Sequence, residues 1–153
     1  MVSLGAGYDS TFFWLKQHHG VTDETLNYIE IDFNDVVKKK LQVIKGHDAL
    51  TKLVWGEEAT NFGNREGSCL SESELDTPGY KLMTGDARDA DIMKHKLTGT
   101  GVDGSLPTLI MTECILIYMR ADDTQGILNW TKDYFGTQGD LVYLNYEMIS
   151  PDD

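Results

Sequence analysis

Two glycines one residue apart, set between a short apolar run and a helix-like run, constrain this chain more than any other feature. Val2-Ser3-Leu4 reads as a buried strand, Gly5-Ala6-Gly7-Tyr8-Asp9-Ser10 as a tight turn, and Thr11 onwards as a helix. Without a Cβ, Gly5 and Gly7 permit positive φ and let a ligand approach the backbone. Asp9 or Ser10 is placed to cap the first unpaired N–H groups of the helix. Such a turn at the carboxyl end of a strand is where open α/β sheets bind nucleotide-like ligands. The dinucleotide fingerprint Gly-x-Gly-x-x-Gly needs glycine at position 10, where Ser10 stands, so a nicotinamide dinucleotide is disfavoured. Taken alone, the two glycines fit a plain structural turn equally well.

The rest of the chain supplies a context for that turn. Ser10–His18 is expected to be helical, with Phe12, Phe13 and Leu15 on its apolar side and Gly20 just past its end. His18 and His19 are adjacent, so on a helix they point about 100° apart and do not chelate one metal. Leu26–Phe33 reads as a second strand with Ile29, Ile31 and Phe33 alternating against Tyr28, Glu30 and Asp32. Asp32 follows Gly7 by 25 residues, near the spacing of about 20 expected for a ribose-binding acid. A carboxylate offers two acceptor oxygens to two vicinal hydroxyls. The competing role for Asp32 is to cap the helix expected over Asn34–Lys45, whose buried stripe is Val36, Val37, Leu41 and Ile44. Lys38, Lys39 and Lys40 read as its solvated side.

Residues 46–77 show the least periodicity and are expected to form an irregular loop insertion, partly helical over Asp48–Trp55. Tyr80–Thr84 is a third strand, followed by Gly85-Asp86-Ala87-Arg88-Asp89. Asp86 is placed to accept from an exocyclic amine such as that of adenine, or to join a surface charge cluster with Arg88 and Asp89. Asp89 or Asp91 is expected to cap a helix over Ile92–Leu97. Pro107–Thr112 is almost wholly apolar, which predicts a central strand covered on both faces. Glu113 stands at its end, where burial without a partner would be costly. Asp122 or Asp123 is expected to start a helix over Ala121–Phe135, and Leu141–Tyr146 is a fifth strand. Strands and helices alternate without internal repeats, which predicts an α/β fold with a doubly wound, mostly parallel sheet. In that fold Gly5, Asp32, Asp86 and Glu113 all fall just past strand ends on one rim.

Composition narrows the function. The 153 residues suit one domain, and 41% hydrophobic residues exclude disorder over most of it. The net charge of -12 lacks the basic stripe of a nucleic-acid surface. Cys69 and Cys114 are far apart and form no CxxC, so neither a zinc site nor a disulfide framework is expected, and a reducing cytoplasmic setting fits. No apolar run reaches membrane-spanning length. The first strand is read as beginning at once after Met1, so no signal peptide is expected, and Pro151-Asp152-Asp153 follows the last strand directly. A fragment of a longer protein is expected.

Five segments together resemble the class I S-adenosylmethionine-dependent methyltransferases, which are Rossmann-like, and more narrowly the leucine carboxyl methyltransferase family. They are Leu4-Gly-Ala-Gly-Tyr-Asp9, Ile29-Glu-Ile-Asp-Phe33, Gly85-Asp-Ala-Arg-Asp89, Thr112-Glu-Cys-Ile-Leu-Ile-Tyr-Met119 and Asn145-Tyr-Glu-Met148. The resemblance implies S-adenosyl-L-methionine as cofactor. Gly5, Gly7 and their neighbours would lie against its methionine part, Asp32 at the ribose, Asp86 and Ala87 beside adenine, and Glu113 near the methionyl amino group. Tyr118 would help position the substrate carboxylate. The implied substrate is the C-terminal leucine carboxylate of the protein phosphatase 2A catalytic subunit, and the implied state a monomer. A carboxylate is already nucleophilic at neutral pH, so the missing Ser-His-Asp or Cys-His arrangement agrees with that chemistry. The resemblance also implies an N-terminal helical segment with an arginine that contacts cofactor and substrate carboxylate, and elements beyond residue 153, so the fold is expected to be incomplete at both ends. Little methyl transfer is expected from this chain alone. Two alternatives stand beside this: a tRNA wybutosine-precursor carboxyl methyltransferase, and a catalytically inactive truncated binding module.

Overall fold

The computed structural model describes residues 1–56, 69–70, 74–137 and 139–148. The expected loop insertion at 46–77 lies partly outside the described residues (57–68 and 71–73), as does the end of the chain, 149–153. Five strands are parallel and in register: β1 (Val2–Leu4), β2 (Tyr28–Asp32), β5 (Tyr80–Thr84), β6 (Thr108–Glu113) and β7 (Leu141–Tyr146). Two short antiparallel strands, β3 (Cys69–Leu70) and β4 (Leu75–Asp76), extend the edge beside β5. The order across the sheet is β3-β4-β5-β2-β1-β6-β7. The doubly wound, mostly parallel α/β sheet expected from the sequence is therefore present.

Helices cover both faces. On one, α4 (Ala90–Gly99) and α5 (Ala121–Phe135) pack Met93, Leu97, Ile127 and Trp130 against Leu4, Ile31, Met83 and Ile110. On the other, α1 (Thr11–His18), α2 (Asn34–Gly46) and α3 (Asp48–Trp55) pack Phe12, Val37, Leu41 and Val54 against Tyr28, Tyr80 and Leu82. Both faces of β2 are consequently buried, so its alternation does not separate core from solvent. Phe33 lies past the strand and is exposed, not a core residue.

The structure decides several local alternatives and corrects other expectations. Residues 48–55 form a complete helix burying Thr51, Val54 and Trp55, so this part of the 46–77 segment is regular. Ser10 makes no capping bond to α1; the Asp9 carboxylate accepts from the Thr11 N–H at 3.1 Å instead. Asp89, not Asp91, caps α4, accepting from the Ile92 N–H at 3.2 Å. Neither Asp122 nor Asp123 caps α5, which begins after Arg120 without a side-chain cap. β6 lies inside the sheet, yet Leu109 and Met111 are only half-buried, because no described helix covers that side. Lys40 is buried rather than solvated, at 4% exposure. Among the described residues β7 pairs only with β6, and Val142, Leu144 and Tyr146 are exposed, so it is an uncovered edge.

Candidate functional site

Parallel pairing puts the carboxyl ends of β1, β2, β5, β6 and β7 on one edge. The chain runs from β1 outwards through β2 and β5, then returns to place β6 on the other side of β1. That reversal opens a gap between neighbouring connections, where open α/β sheets bind ligands. A crevice of about 420 Å³ occupies it. Its walls are the Gly5–Ser10 turn on one side and Met111, Glu113 and Cys114 on the other, with Ser3 also lining it.

Both glycines of the turn take positive φ, +66° at Gly5 and +52° at Gly7. Their reasons differ. A Cβ on Gly5 would collide with the end of the Ile115 side chain, so packing, as well as φ, favours this glycine. A Cβ on Gly7 would meet nothing within 4 Å, so the turn faces open space there. The Gly7 N–H donates to the Asp32 carboxylate at 2.7 Å, and the Phe33 N–H donates to its other oxygen at 2.6 Å. Asp32 therefore does not cap the body of α2. It joins the end of β2 to the glycine turn and keeps further acceptor capacity.

Glu113 lines the crevice and is exposed. The expectation that burial would make this acid costly is thus corrected. Cys114, next to it, has φ of +50°, a left-handed conformation that a residue with a side chain adopts at a cost of about 1–3 kcal/mol. Its N–H donates to the Tyr146 carbonyl at 2.8 Å, which fixes the bend. The chain then enters a 3₁₀ turn, Leu116–Tyr118, whose Leu116 N–H donates to Glu147 at 3.0 Å. Tyr118 on that turn is 76% exposed and is not among the crevice-lining residues.

Asp86 and Ala87 follow β5, two strands away from β1 on the same rim. Asp86 lines a separate open concavity with Arg88, Asp89 and Asp91. Arg88 grips the Asp86 carboxylate with Nε at 2.9 Å and Nη2 at 2.5 Å, and these bonds hold Asp86 below the usual carboxylate range. Ala87 is buried, and its carbonyl accepts from the Trp130 indole at 2.8 Å. The structure thus brings Gly5, Gly7 and Glu113 together in the crevice lining and ties Asp32 to it through the Gly7 N–H, while Asp86, Ala87 and Tyr118 lie outside that lining.

A polar network beneath the turn escaped the sequence reading. Lys40 on α2 forms a buried ion pair with Glu30 on β2. Its ammonium also donates to the Asp9 carbonyl at 2.7 Å. The Tyr28 hydroxyl donates to the Asp9 carboxylate at 3.0 Å. Desolvation pushes the Glu30 carboxyl up to about 7, against the pull of Lys40 and the Tyr80 hydroxyl. Burial raises the Tyr28 phenol well above its ordinary value, helped by the charges of Asp9 and Glu30. Helical spacing carried a signal for Lys40: it lies three residues after Val37 and four before Ile44, on the apolar stripe.

Among the ionisable residues lining the crevice are the carboxylates Asp9 and Glu113, and no Lys or Arg. The field there favours a ligand with cationic groups. Among the described residues no cluster of three or more His, Cys, Asp or Glu could hold a metal ion.

A family model described as leucine carboxyl methyltransferase matches residues 1–132. The chain belongs to the leucine carboxyl methyltransferase family. It is 35% identical over 153 residues to the leucine carboxyl methyltransferase 1 homolog of Arabidopsis thaliana, covering all of this chain and 42% of that relative. To leucine carboxyl methyltransferase 1 of Rattus norvegicus it is 30% identical over 153 residues, again along its whole length and over 43% of the relative. The corresponding protein of Debaryomyces hansenii is 33% identical over 162 residues, with 41% of its length covered. The chain spans less than half the length of these leucine carboxyl methyltransferases.

Proposed function

We propose that the crevice binds S-adenosyl-L-methionine and that the chain is the cofactor-binding part of a methyltransferase acting on a C-terminal leucine carboxylate, that of the protein phosphatase 2A catalytic subunit. What carries this reading is the crevice itself: it opens where the strand order reverses, and its charged lining is acidic. When bound, this cofactor supplies a methyl group activated by a positively charged sulfur. The residues present fit it. Open space beside Gly7 admits the methionine part close to the backbone. Glu113 offers a carboxylate to an ammonium group, and Asp32, already fixed against Gly7, offers one to ribose hydroxyls. Asp86 and Ala87 would meet adenine from the adjacent concavity, with Arg88 releasing part of its hold on Asp86. Tyr118 would face the substrate tail. The protein's work is then alignment and exclusion of water, since the substrate carboxylate needs no general base.

No helix among the described residues is long and apolar enough to cross a membrane. A cytoplasmic monomer meeting a phosphatase tail is part of the proposal. Calorimetry of the folded chain with S-adenosylhomocysteine tests it directly. Saturable one-to-one binding that Asp32→Ala and Glu113→Ala each weaken about tenfold is expected. No heat from the folded chain would sink the reading.

A further inference from the structure

Lys40 is the middle of a buried connection that nothing in methyl transfer requires. Its neighbours Lys38 and Lys39 are exposed, while Lys40 turns inward to Glu30, itself fully buried. Burying such a pair is costly, and well-packed apolar residues of similar volume are often at least as stabilising. The pair therefore calls for a reason beyond joining α2 to β2.

The third partner gives one. Lys40 also donates to the backbone carbonyl of Asp9, which lines the crevice. An apolar side chain could not make that bond. Asp9 is held on its other sides too, by Tyr28 and by the Thr11 N–H and hydroxyl, the latter at 2.8 Å. Its own N–H donates back to Ala6 at 2.9 Å and closes the turn. Asp32 grips the same turn at Gly7. Residues 5–10 are thus held at Gly5 and Ala6 by the Ile31 carbonyl, at Gly7 by Asp32 and at Asp9 by Tyr28 and Lys40, and Glu30 aims the lysine.

We propose that Lys40, oriented by Glu30, is a positioning residue that holds the Gly5–Ser10 turn in the shape the crevice ligand requires. Its ligand half rests on the cofactor reading above; its structural half, the pinned turn, does not.

The test compares the wild-type chain with Lys40→Met and with the double variant Glu30→Gln/Lys40→Met. The single variant strands a buried carboxylate and can fail to fold. The double variant removes both charges and keeps the volume. Urea denaturation, amide hydrogen exchange of Gly7 and Asp9, and the affinity for S-adenosylhomocysteine are read together. In the double variant we expect near-normal stability, exchange about tenfold faster confined to residues 5–10, and affinity about tenfold weaker. Unchanged exchange and affinity in the folded double variant would overturn the proposal, leaving the pair as packing between β2 and α2. Exchange that rises evenly over all strands would overturn it too, because the pair would then act on global stability alone. If wild type binds no S-adenosylhomocysteine, the cofactor reading fails, and the exchange at Gly7 and Asp9 still decides whether Lys40 holds the turn.

Discussion

On the face covered by α4 and α5, the sheet meets Met93, Leu97, Ile127 and Trp130, and the core cluster is built from apolar side chains. On the face covered by α1, α2 and α3, aromatic rings share the interior with Glu30 and Lys40. Phe12 stacks on Tyr80 with centroids 4.2 Å apart, and Tyr28 reaches past them to Asp9. The first face is mainly a non-directional seal, with the Trp130 indole bond to the Ala87 carbonyl as a directional exception. The second carries directional bonds that end on one loop. A fold gains stability cheaply from the first kind of contact and fixes a backbone atom only with the second. The polar face lies directly beneath the glycine turn, which is where fixed atoms matter for binding.

This contrast can be broken experimentally. Lys40→Met should have the largest effect, removing about 3–5 kcal/mol of unfolding free energy because Glu30 is left buried and unpaired. A loss below about 1 kcal/mol in urea denaturation would mean that water reaches the pair and that the two faces differ little. Leu97→Ala on the apolar face should cost about 2–5 kcal/mol, since Leu97 is fully buried. Its affinity for S-adenosylhomocysteine should stay at the wild-type value, and a coincident loss of affinity would show that the apolar face also shapes the crevice. Gly5→Ala should cost about 1–3 kcal/mol from positive φ and displacement of Ile115, with weaker ligand binding in the same titration.

The smallest effect belongs to the rim. Arg88 holds the Asp86 carboxyl below its ordinary 3.8, so this contact adds stability above that pH and loses it as pH falls through the lowered value. Arg88→Ala should return the Asp86 titration, followed by carboxyl NMR, upwards to the ordinary value. Because both side chains are partly exposed, global stability at neutral pH should barely change. An unmoved Asp86 titration would mean that the turn backbone, not Arg88, sets it.

The sheet was legible because its signals are local. Val2–Leu4, Tyr28–Asp32 and Tyr80–Thr84 are short apolar or alternating runs bounded by turn residues, and each emerges as a parallel strand. The acids at strand ends were legible by position, since parallel pairing sends every strand end to one rim. Lys38 and Lys39 are exposed as expected, but Lys40 was grouped with them because composition suggested a wet face, although the 3.6-residue period put it with Val37 and Ile44. The exposure of Glu113 was not legible, because an apolar strand does not reveal whether a helix covers its end. Nor was the second duty of Gly5: only the return of Ile115 from 110 residues later crowds the space a Cβ there would take.

By itself, the sequence determined the alternation of strands and helices, the turn that needs two glycines, and the family to which those segments belong. These follow from backbone sterics and from the periodicity of apolar side chains, which act over a few residues. Tertiary structure alone decided that Asp32 would bond to Gly7, that Lys40 would turn inward to Asp9 and Glu30, and that Asp86 would sit in a neighbouring concavity. Those outcomes depend on which distant groups meet once the sheet is assembled, and a buried charge or donor takes whichever partner the packing brings within reach.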